Sequence, residues 1–305
     1  MRTIAKKLTI LLALIMVLMS FTACNPSKYS ESDQKIISVK ELEGYIGGEN
    51  VAIIDMQSPE DYASGHVKGA VNIVKDDIVI NVPVDNMLTS KNKIDKLMSE
   101  KGISNDTTIL IYDSDKMSAA RLFWTLLVYG NENAKVVSGG IGAIKEAGLE
   151  MSTEVPSPAP GNFTASEKNT QWIATKDDVM KQVESPDPNV ALLDVRTDAE
   201  YAEVGKVPGS IMWDYADNFY ADGTFKNTQT TRINYINKDL RPEKEIITYC
   251  KTSMRAAPVF LRLYDAGYRN IKIYDGAYSE WSANPNNPVE MPAGAALMPS
   301  QKDAS

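Results

Sequence analysis

Short apolar runs that end in an aspartate occur twice in this chain and predict buried strands. Residues 50–55 read Asn-Val-Ala-Ile-Ile-Asp, and residues 189–194 read Asn-Val-Ala-Leu-Leu-Asp. Such runs are too short for a helix, and their unbroken apolar character is typical of strands that are buried on both faces of a parallel sheet. A polar helical turn and a loop bounded by glycines follow each run. The chain therefore contains an internal repeat.

The later halves of the two copies also match. An apolar strand at 107–112 leads into Asp113, and a second at 245–249 leads into Cys250. Each is followed by a short polar loop and an apolar helical segment, predicted over 119–129 and 256–266, and each segment is followed by a glycine, as helix ends commonly are. Strands and helices that alternate at these lengths predict an α/β fold with parallel sheets flanked by helices.

The repeat divides the chain into two domains, which we assign to residues 36–154 and 171–292. The connector at 155–170 contains the run Val-Pro-Ser-Pro-Ala-Pro-Gly, and we expect it to be extended. The small and polar residues at 293–305 predict a flexible tail.

The first 23 residues have the pattern of a bacterial signal peptide. Arg2, Lys6 and Lys7 precede an apolar run from Leu8 to Met19. This run is too short to cross a bilayer as a helix, but it has the length of the apolar region of a secretory signal.

The sequence Phe-Thr-Ala-Cys at 21–24 resembles the lipobox of bacterial lipoproteins, in which the cysteine is lipidated and becomes the first mature residue. Phe21 departs from the usual leucine. We predict lipidation of Cys24, a polar tether at 24–35, and an extracytoplasmic protein anchored to the bacterial cell membrane. The alternative is an ordinary secreted protein that is cleaved near Ala23.

Charge and cysteine content narrow the possible functions. A formal net charge of -8 and a pI near 4.9 argue against a nucleic-acid partner. Of the two cysteines, Cys24 is assigned to the anchor, so Cys250 has no intramolecular disulfide partner. An unpaired thiol in an exported protein is unusual. Cys250 is therefore a candidate nucleophile, and the alternative is a small buried hydrophobic residue.

Four fragments, spread over both copies, resemble the tandem-domain rhodanese family, which includes thiosulfate and 3-mercaptopyruvate sulfurtransferases. The fragments are Ile247–Ala256, Tyr274–Trp281, the pair Ile111–Asp113 and Ala120–Trp124, and Ser138–Gly140. The resemblance covers residues 36–291. It implies two tandem rhodanese-like domains, of which the second carries the cysteine and the first is a catalytically silent copy with Asp113 in the cysteine's place.

The position of the cysteine supports sulfur chemistry independently. A loop between a parallel strand and a helix gathers backbone N–H groups and the helix N-terminus, which favour a thiolate over a thiol. The Cys250 thiolate can attack the outer sulfur of thiosulfate to form a persulfide. A thiol or cyanide-like acceptor then removes the outer sulfur of this persulfide. We expect neither a metal nor an organic cofactor. The active-site loop comprises five residues: Lys251, Thr252, Ser253, Met254 and Arg255.

Loop length and composition refine this interpretation. Four residues separate Cys250 from Arg255, whereas rhodanese-like phosphatases and arsenate reductases have a longer loop, so phosphatase activity is not expected. Ser253 occupies a position where the family usually has glycine. If that position has a positive φ, serine costs about 1 kcal/mol or more, and the loop geometry and the rate are affected.

Two further residues are candidates for binding substrate. Arg196 matches a family arginine associated with substrate anions. Mercaptopyruvate enzymes generally have a second arginine where this chain has Glu200, which favours thiosulfate as the donor. His66, the only histidine, lies in an element that the resemblance places near the interdomain cleft. The alternative is that His66 has a structural role and forms hydrogen bonds within a loop.

Three alternative functions stay open at this point. The chain could be a non-catalytic rhodanese-fold binding module or a persulfide carrier that presents sulfur to a partner. It could also be a 3-mercaptopyruvate sulfurtransferase. A redox function is disfavoured because the sequence contains no Cys-x-x-Cys pair to supply a resolving thiol.

Overall fold

The computed structural model describes residues 34–293. The predicted signal peptide, the predicted lipidation site Cys24, most of the tether and nearly all of the tail lie outside these residues. Within them, the predicted α/β architecture is confirmed, because two parallel sheets of five strands are flanked by helices.

The first domain begins at β1 and ends with β9. Its strands are β1 Ile36–Ile37, β2 Val51–Asp55, β3 His66–Val67, β4 Val71–Asn72, β5 Val79–Ile80, β6 Met87–Leu88, β7 Thr108–Tyr112, β8 Ala134–Val137 and β9 Met151–Ser152. Its helices are α1 Val39–Tyr45, α2 Pro59–Ser64, α3 Lys75–Ile78, α4 Lys91–Glu100, α5 Ser118–Val128 and α6 Gly140–Glu146.

The second domain repeats this order with fewer short strands. Its strands are β10 Ile173–Ala174, β11 Val190–Asp194, β12 Ile211–Met212, β13 Glu245–Tyr249 and β14 Ile271–Tyr274. Its helices are α7 Lys176–Glu184, α8 Asp198–Val204, α9 Thr228–Asn237, α10 Ala256–Asp265 and α11 Ala277–Ala283, with 3-10 turns at Thr170–Trp172 and Tyr215–Asn218.

The two sheets have equivalent topology. The strand order is β1-β8-β7-β2-β4 in the first and β10-β14-β13-β11-β12 in the second, and all pairs within them are parallel. The central pairings are also in equivalent register, since Asp55 lies opposite Tyr112 and Asp194 lies opposite Tyr249. Both aspartates accept a hydrogen bond from the backbone N–H two residues later, which braces the turn at the strand end.

Helices α5 and α10 are buried along their whole length. Each lies against its own sheet and against the other helix, so every face of it is covered. This accounts for their almost continuous apolar sequences, since a helix exposed to water on one side would show a polar stripe. The same hydrophobic cluster contains residues of both domains, so the two domains share one core.

The predicted connector lies on the surface of the first domain. Gly161 passes so close to Ile103 that a Cβ would lie 2.2 Å from the Ile103 carbonyl oxygen, and its N–H donates to the Ser99 carbonyl at 2.8 Å. Phe163 is buried against this domain. The connector is therefore held at several points along the first domain.

Candidate active site

Cys250 is the first residue after β13, at the carboxyl end of a strand with neighbours on both sides. Ligands of open parallel sheets bind at this end of the strands. Its side chain is 1% exposed, and its carbonyl accepts a hydrogen bond from the Tyr278 N–H at 2.9 Å. The loop then enters α10, so the cysteine lies near the positive end of a ten-residue helix.

The equivalent loop of the first domain shares two backbone features with the Cys250 loop. Asp113 follows β7 as Cys250 follows β13, and its carbonyl accepts the Ile141 N–H at 2.8 Å. Three residues after Asp113 and after Cys250 the backbone is left-handed, with φ of 63° at Lys116 and 58° at Ser253. The positive φ that sequence analysis raised for Ser253 is therefore present.

Asp113 marks a position in this loop where a side chain accepts two backbone hydrogen bonds. Its carboxylate accepts the N–H groups of Lys116 at 3.2 Å and Ala119 at 2.9 Å. Burial, together with the nearby Asp115, raises the pKa of Asp113 to about 7. The residues that correspond to the two donors in the second domain are Ser253 and Ala256. These two N–H groups occupy the equivalent positions of the Cys250 loop.

Ser253 is fully buried, and its hydroxyl lies within a polar network between the domains. It accepts a hydrogen bond from Arg121 Nη1 at 3.0 Å and donates one to Asp275 Oδ1 at 3.2 Å. The Ser253 hydroxyl, which glycine would lack, therefore forms two hydrogen bonds, although the backbone at this position is unfavourable for serine.

Arg255, at the end of the loop, forms a bidentate ion pair with a carboxylate. Its two Nη atoms donate to the oxygens of Glu200 at 2.6 and 2.7 Å. This bidentate pair lowers the pKa of Glu200 to about 2, and it also raises the pKa of Arg255 above its ordinary value. Glu200 therefore offsets much of the positive charge that Arg255 adds near Cys250.

The other loop residues differ in exposure. Lys251 is exposed, Thr252 is half-buried, and Met254 is buried. Thr252 Oγ1 accepts a hydrogen bond from the Asn86 amide at 3.0 Å, so the first domain also contacts this part of the loop.

Arg196 is 1% exposed, and most of its donors are engaged. It forms hydrogen bonds to both Asp194 oxygens, the shortest at 2.6 Å, and to the Gly205 carbonyl at 2.8 Å. Its guanidinium also stacks on the Tyr278 ring, 3.8 Å from the centroid. Arg196 and Glu200 both border a cavity of about 360 Å³. A role for Arg196 in substrate binding stays a prediction.

His66 is fully buried in the first domain. Its Nδ1 lies 2.8 Å from the Tyr62 carbonyl, its Nε2 lies 3.0 Å from the Glu154 carbonyl, and its ring stacks on Tyr62. All of these partners belong to the first domain. The geometry favours the structural alternative over contact with a substrate at Cys250.

Three residues that contact the loop network have no role predicted from the sequence: Arg121, Asp275 and Asn86. One signal was available, because Arg121 is the only charged residue in the apolar helix α5. A charge in a fully buried helix requires a partner. The identity of that partner, Asp275 of the second domain, depends on how the domains dock.

No group of three or more His, Cys, Asp or Glu residues that could hold a metal ion occurs within residues 34–293. In the same range, no helix is both long enough and apolar enough to cross a bilayer.

Both halves of the chain match the family described as "Rhodanese-like domain", at residues 38–147 and 175–284. The chain therefore belongs to the rhodanese-like family, as a tandem of two such domains. The matched stretches lie within the two predicted domains.

Curated relatives of similar length carry names from sulfur chemistry. The chain is 31% identical over 238 residues to the "Sulfur carrier protein TtuD" of Thermus thermophilus, covering 72% of this chain and 83% of that protein. It is 26% identical over 265 residues to a thiosulfate sulfurtransferase of Pseudomonas aeruginosa, covering 84% of this chain and 97% of that one. These relatives support sulfur transfer as the general chemistry.

Solved structures support the same fold. The anaerobic ergothioneine biosynthesis enzyme of Chlorobium limicola superimposes with a TM-score of 0.75 at 21% identity, covering 84% of this chain and 70% of that one. At this identity the similarity concerns the fold alone.

Proposed function

We propose that this protein is a sulfurtransferase that moves the outer sulfur of thiosulfate to a thiophilic acceptor through a persulfide on Cys250. In the first step the Cys250 thiolate attacks that sulfur, a new S–S bond forms, and sulfite leaves with the electron pair of the broken bond. In the second step an acceptor such as cyanide or a thiolate attacks the terminal sulfur, and the cysteine thiolate is regenerated.

The observation that carries this proposal is the equivalence of Cys250 and Asp113 in two matching loops. The aspartate carboxylate is held by the N–H groups of Lys116 and Ala119. The equivalent N–H groups of the second loop can donate to a negatively charged sulfur at Cys250, whose side chain also lies within reach of the Arg255 guanidinium. Donors that are already oriented toward a developing charge lower the barrier to its formation.

The test of this function is thiosulfate:cyanide turnover. The purified protein is incubated with both substrates, thiocyanate is followed with time, and Cys250→Ser is the control. We expect turnover only with the cysteine present. Mass spectrometry of the Cys250 peptide after exposure to thiosulfate alone should show the gain of one sulfur atom. Failure to turn over, or turnover that survives the substitution, would contradict the proposal.

A persulfide carrier is the second candidate. One relative is named a sulfur carrier protein. A carrier would gain sulfur in the mass measurement but would release little of it to cyanide. Loading without thiocyanate formation would therefore favour this alternative.

3-Mercaptopyruvate is the less favoured donor. Its carboxylate requires a positive charge near the cysteine, and the second arginine expected for such enzymes is replaced by Glu200. This glutamate also pairs with Arg255. Comparing the kcat/KM values for the two donors tests this preference, and we expect thiosulfate to be used more efficiently.

We also propose that the protein is attached to the outer face of the bacterial cell membrane through lipidated Cys24. The apolar run and the sequence Phe-Thr-Ala-Cys support this location. Detergent phase partitioning of the expressed protein tests it, because the lipidated form enters the detergent phase and Cys24→Ser should not. Cleavage and release of the unsubstituted protein into the aqueous phase would favour ordinary secretion.

A further inference from the structure

The silent domain supplies several groups that hold the Cys250 loop and its neighbouring strand end. Arg121 Nη1 donates to Ser253 at 3.0 Å, and Arg121 Nη2 donates to Asp275 at 2.8 Å. The Leu88 N–H donates to the other oxygen of Asp275 at 2.7 Å. These contacts cross the domain boundary, so the silent domain borders the catalytic loop directly.

Arg121 is itself held rigidly. Its side chain is 0% exposed, its guanidinium lies 4.4 Å from the Trp124 ring, and Nη2 also donates to the Asn86 carbonyl at 2.7 Å. The position equivalent to Arg121 in the second copy is Pro258. The arginine is therefore a feature of the silent copy alone, and it is directed toward the active copy.

We propose that Arg121 is a positioning residue for Cys250 that acts across the domain boundary through Ser253. Serine disfavours the left-handed backbone at this position. The loop keeps its shape because the buried hydroxyl is fixed between Arg121 and Asp275, where low polarity strengthens these hydrogen bonds. The catalytic consequence rests on the proposed function, whereas the structural consequence does not.

A double-mutant cycle tests the proposal in the full-length protein. Arg121→Met and Ser253→Gly are made singly and together, and the rate of Cys250 persulfidation by thiosulfate is measured by peptide mass spectrometry. We expect Arg121→Met to lower this rate about tenfold when Ser253 is present, and no more than about twofold when Ser253→Gly is also present, since contacting residues couple by such amounts. An equal decrease in both backgrounds would overturn the proposal.

A second readout separates this proposal from the proposed function. The rate of iodoacetamide alkylation at Cys250, mapped to its peptide, reports on the loop without any sulfur chemistry. We expect the same coupling between the two substitutions in this rate. If alkylation shows coupling but thiosulfate gives no persulfide, the positioning role stands and the proposed function fails.

Arg262→Met is the matched control. Arg262 is also a buried arginine on an interdomain helix, and it pairs with Asp265 away from the loop. We expect its substitution to lower stability but to show no coupling with Ser253→Gly. Arg121→Lys, which keeps the charge, should recover part of the lost rate. If Arg262→Met couples as strongly as Arg121→Met, general destabilisation explains the result and the proposal is wrong.

Discussion

Ser253 and Lys116 occupy the same left-handed position in the two loops, but their side chains have different environments. Ser253 is fully buried and hydrogen-bonded to two charged residues. Lys116 is exposed, with its ammonium group 5.6 Å from the Phe219 ring. The same backbone therefore carries a structural hydroxyl in one copy and a largely solvated amine in the other.

Glycine substitution should affect the stability of these two positions in opposite directions. Ser253→Gly relieves about 1 kcal/mol of backbone strain, but it leaves a buried N–H of Arg121 without its acceptor, which costs about 1–3 kcal/mol. We expect the free energy of unfolding to decrease by about 1 kcal/mol. Lys116→Gly relieves the strain alone, and we expect an increase of up to about 1 kcal/mol. Urea unfolding measures both, and changes of the same sign would contradict this interpretation.

Glu200 sets the charge at the mouth of the site. Glu200→Gln keeps a residue that can cap α8 but releases the full positive charge of Arg255. We expect the KM for thiosulfate to decrease about fivefold, equivalent to about 1 kcal/mol of attraction. Steady-state kinetics measure the change. Glu203→Gln is the control, because Glu203 borders the same cavity and carries the same charge. An equal decrease in both variants would indicate general attraction rather than loss of the ion pair between Glu200 and Arg255.

The Glu200 pair also predicts an effect of acid on stability. The pKa of Glu200 is about 2 in the folded protein and near 4.5 without its partners. Because the pKa of Glu200 is lower in the folded protein, its ionisation stabilises the fold at pH values above the pKa of the unfolded chain. This stabilisation is lost as the pH falls from 4.5 toward 2. We expect Glu200→Gln to lose less stability than the unsubstituted protein over this range, measured by thermal unfolding. Parallel curves for the two proteins would show that the pair contributes nothing.

At the scale of elements, a segment of the second domain covers the Asp113 loop of the first domain. Phe219 and Phe225 lie against Asp113, Lys116 and the turn before α6, and they leave little free space there. The 3-10 turn at Tyr215–Asn218 leads into this segment. The position equivalent to the cysteine therefore lies beneath a segment of the second domain.

The buried carboxylate of this loop should make stability depend on pH in the opposite direction to Glu200. The pKa of Asp113 is raised from 3.8 to about 7, so its ionisation disfavours the fold increasingly as the pH rises from about 4 to about 7. We expect Asp113→Asn to stabilise the protein more at pH 8 than at pH 5. The two effects on the free energy of unfolding should differ by between about 1 and 4 kcal/mol. Urea unfolding at both values measures this difference, and Asp106→Asn, at an exposed aspartate elsewhere in the first domain, is the control. A pH-independent effect would contradict the assignment.

At the scale of the whole molecule, the two domains share one hydrophobic core. Helices α5 and α10 pack on each other, and the shared core includes Trp172, whose ring meets Phe260 and Tyr264 edge-on at 5.8 and 5.5 Å. The Trp124 indole donates to the Trp172 carbonyl at 3.1 Å. Separating the domains would expose this apolar surface to water.

Trp172→Ala should therefore destabilise both domains together. Removing a buried tryptophan from a core costs about 3–5 kcal/mol. We expect a single calorimetric transition in the unsubstituted protein and a single transition at lower temperature in the variant. Two separate transitions in the unsubstituted protein would show that the domains unfold independently. The exposed Tyr220→Ala serves as the control and should leave the transition temperature nearly unchanged.

The repeat, the α/β fold and the position of Cys250 at a strand end could all be predicted from the amino-acid sequence. These features are local, because strand and helix periodicity and glycine at helix ends are encoded in short stretches. The predicted helix at 119–129 occurs as Ser118–Val128, and the predicted strand at 245–249 occurs as Glu245–Tyr249. The family resemblance carried the same information, since its motifs are also short.

The distant side chains that hold the loop after the cysteine are brought together by the tertiary structure. Arg121 meets Ser253 across 132 residues of sequence and Asp275 across 154. No periodicity relates such positions, because their contact depends on how two finished domains dock. The sequence marked Ser253 as a departure from glycine, and the fold showed that its hydroxyl is held by the silent domain. The geometry of the Cys250 loop is therefore a property of both domains.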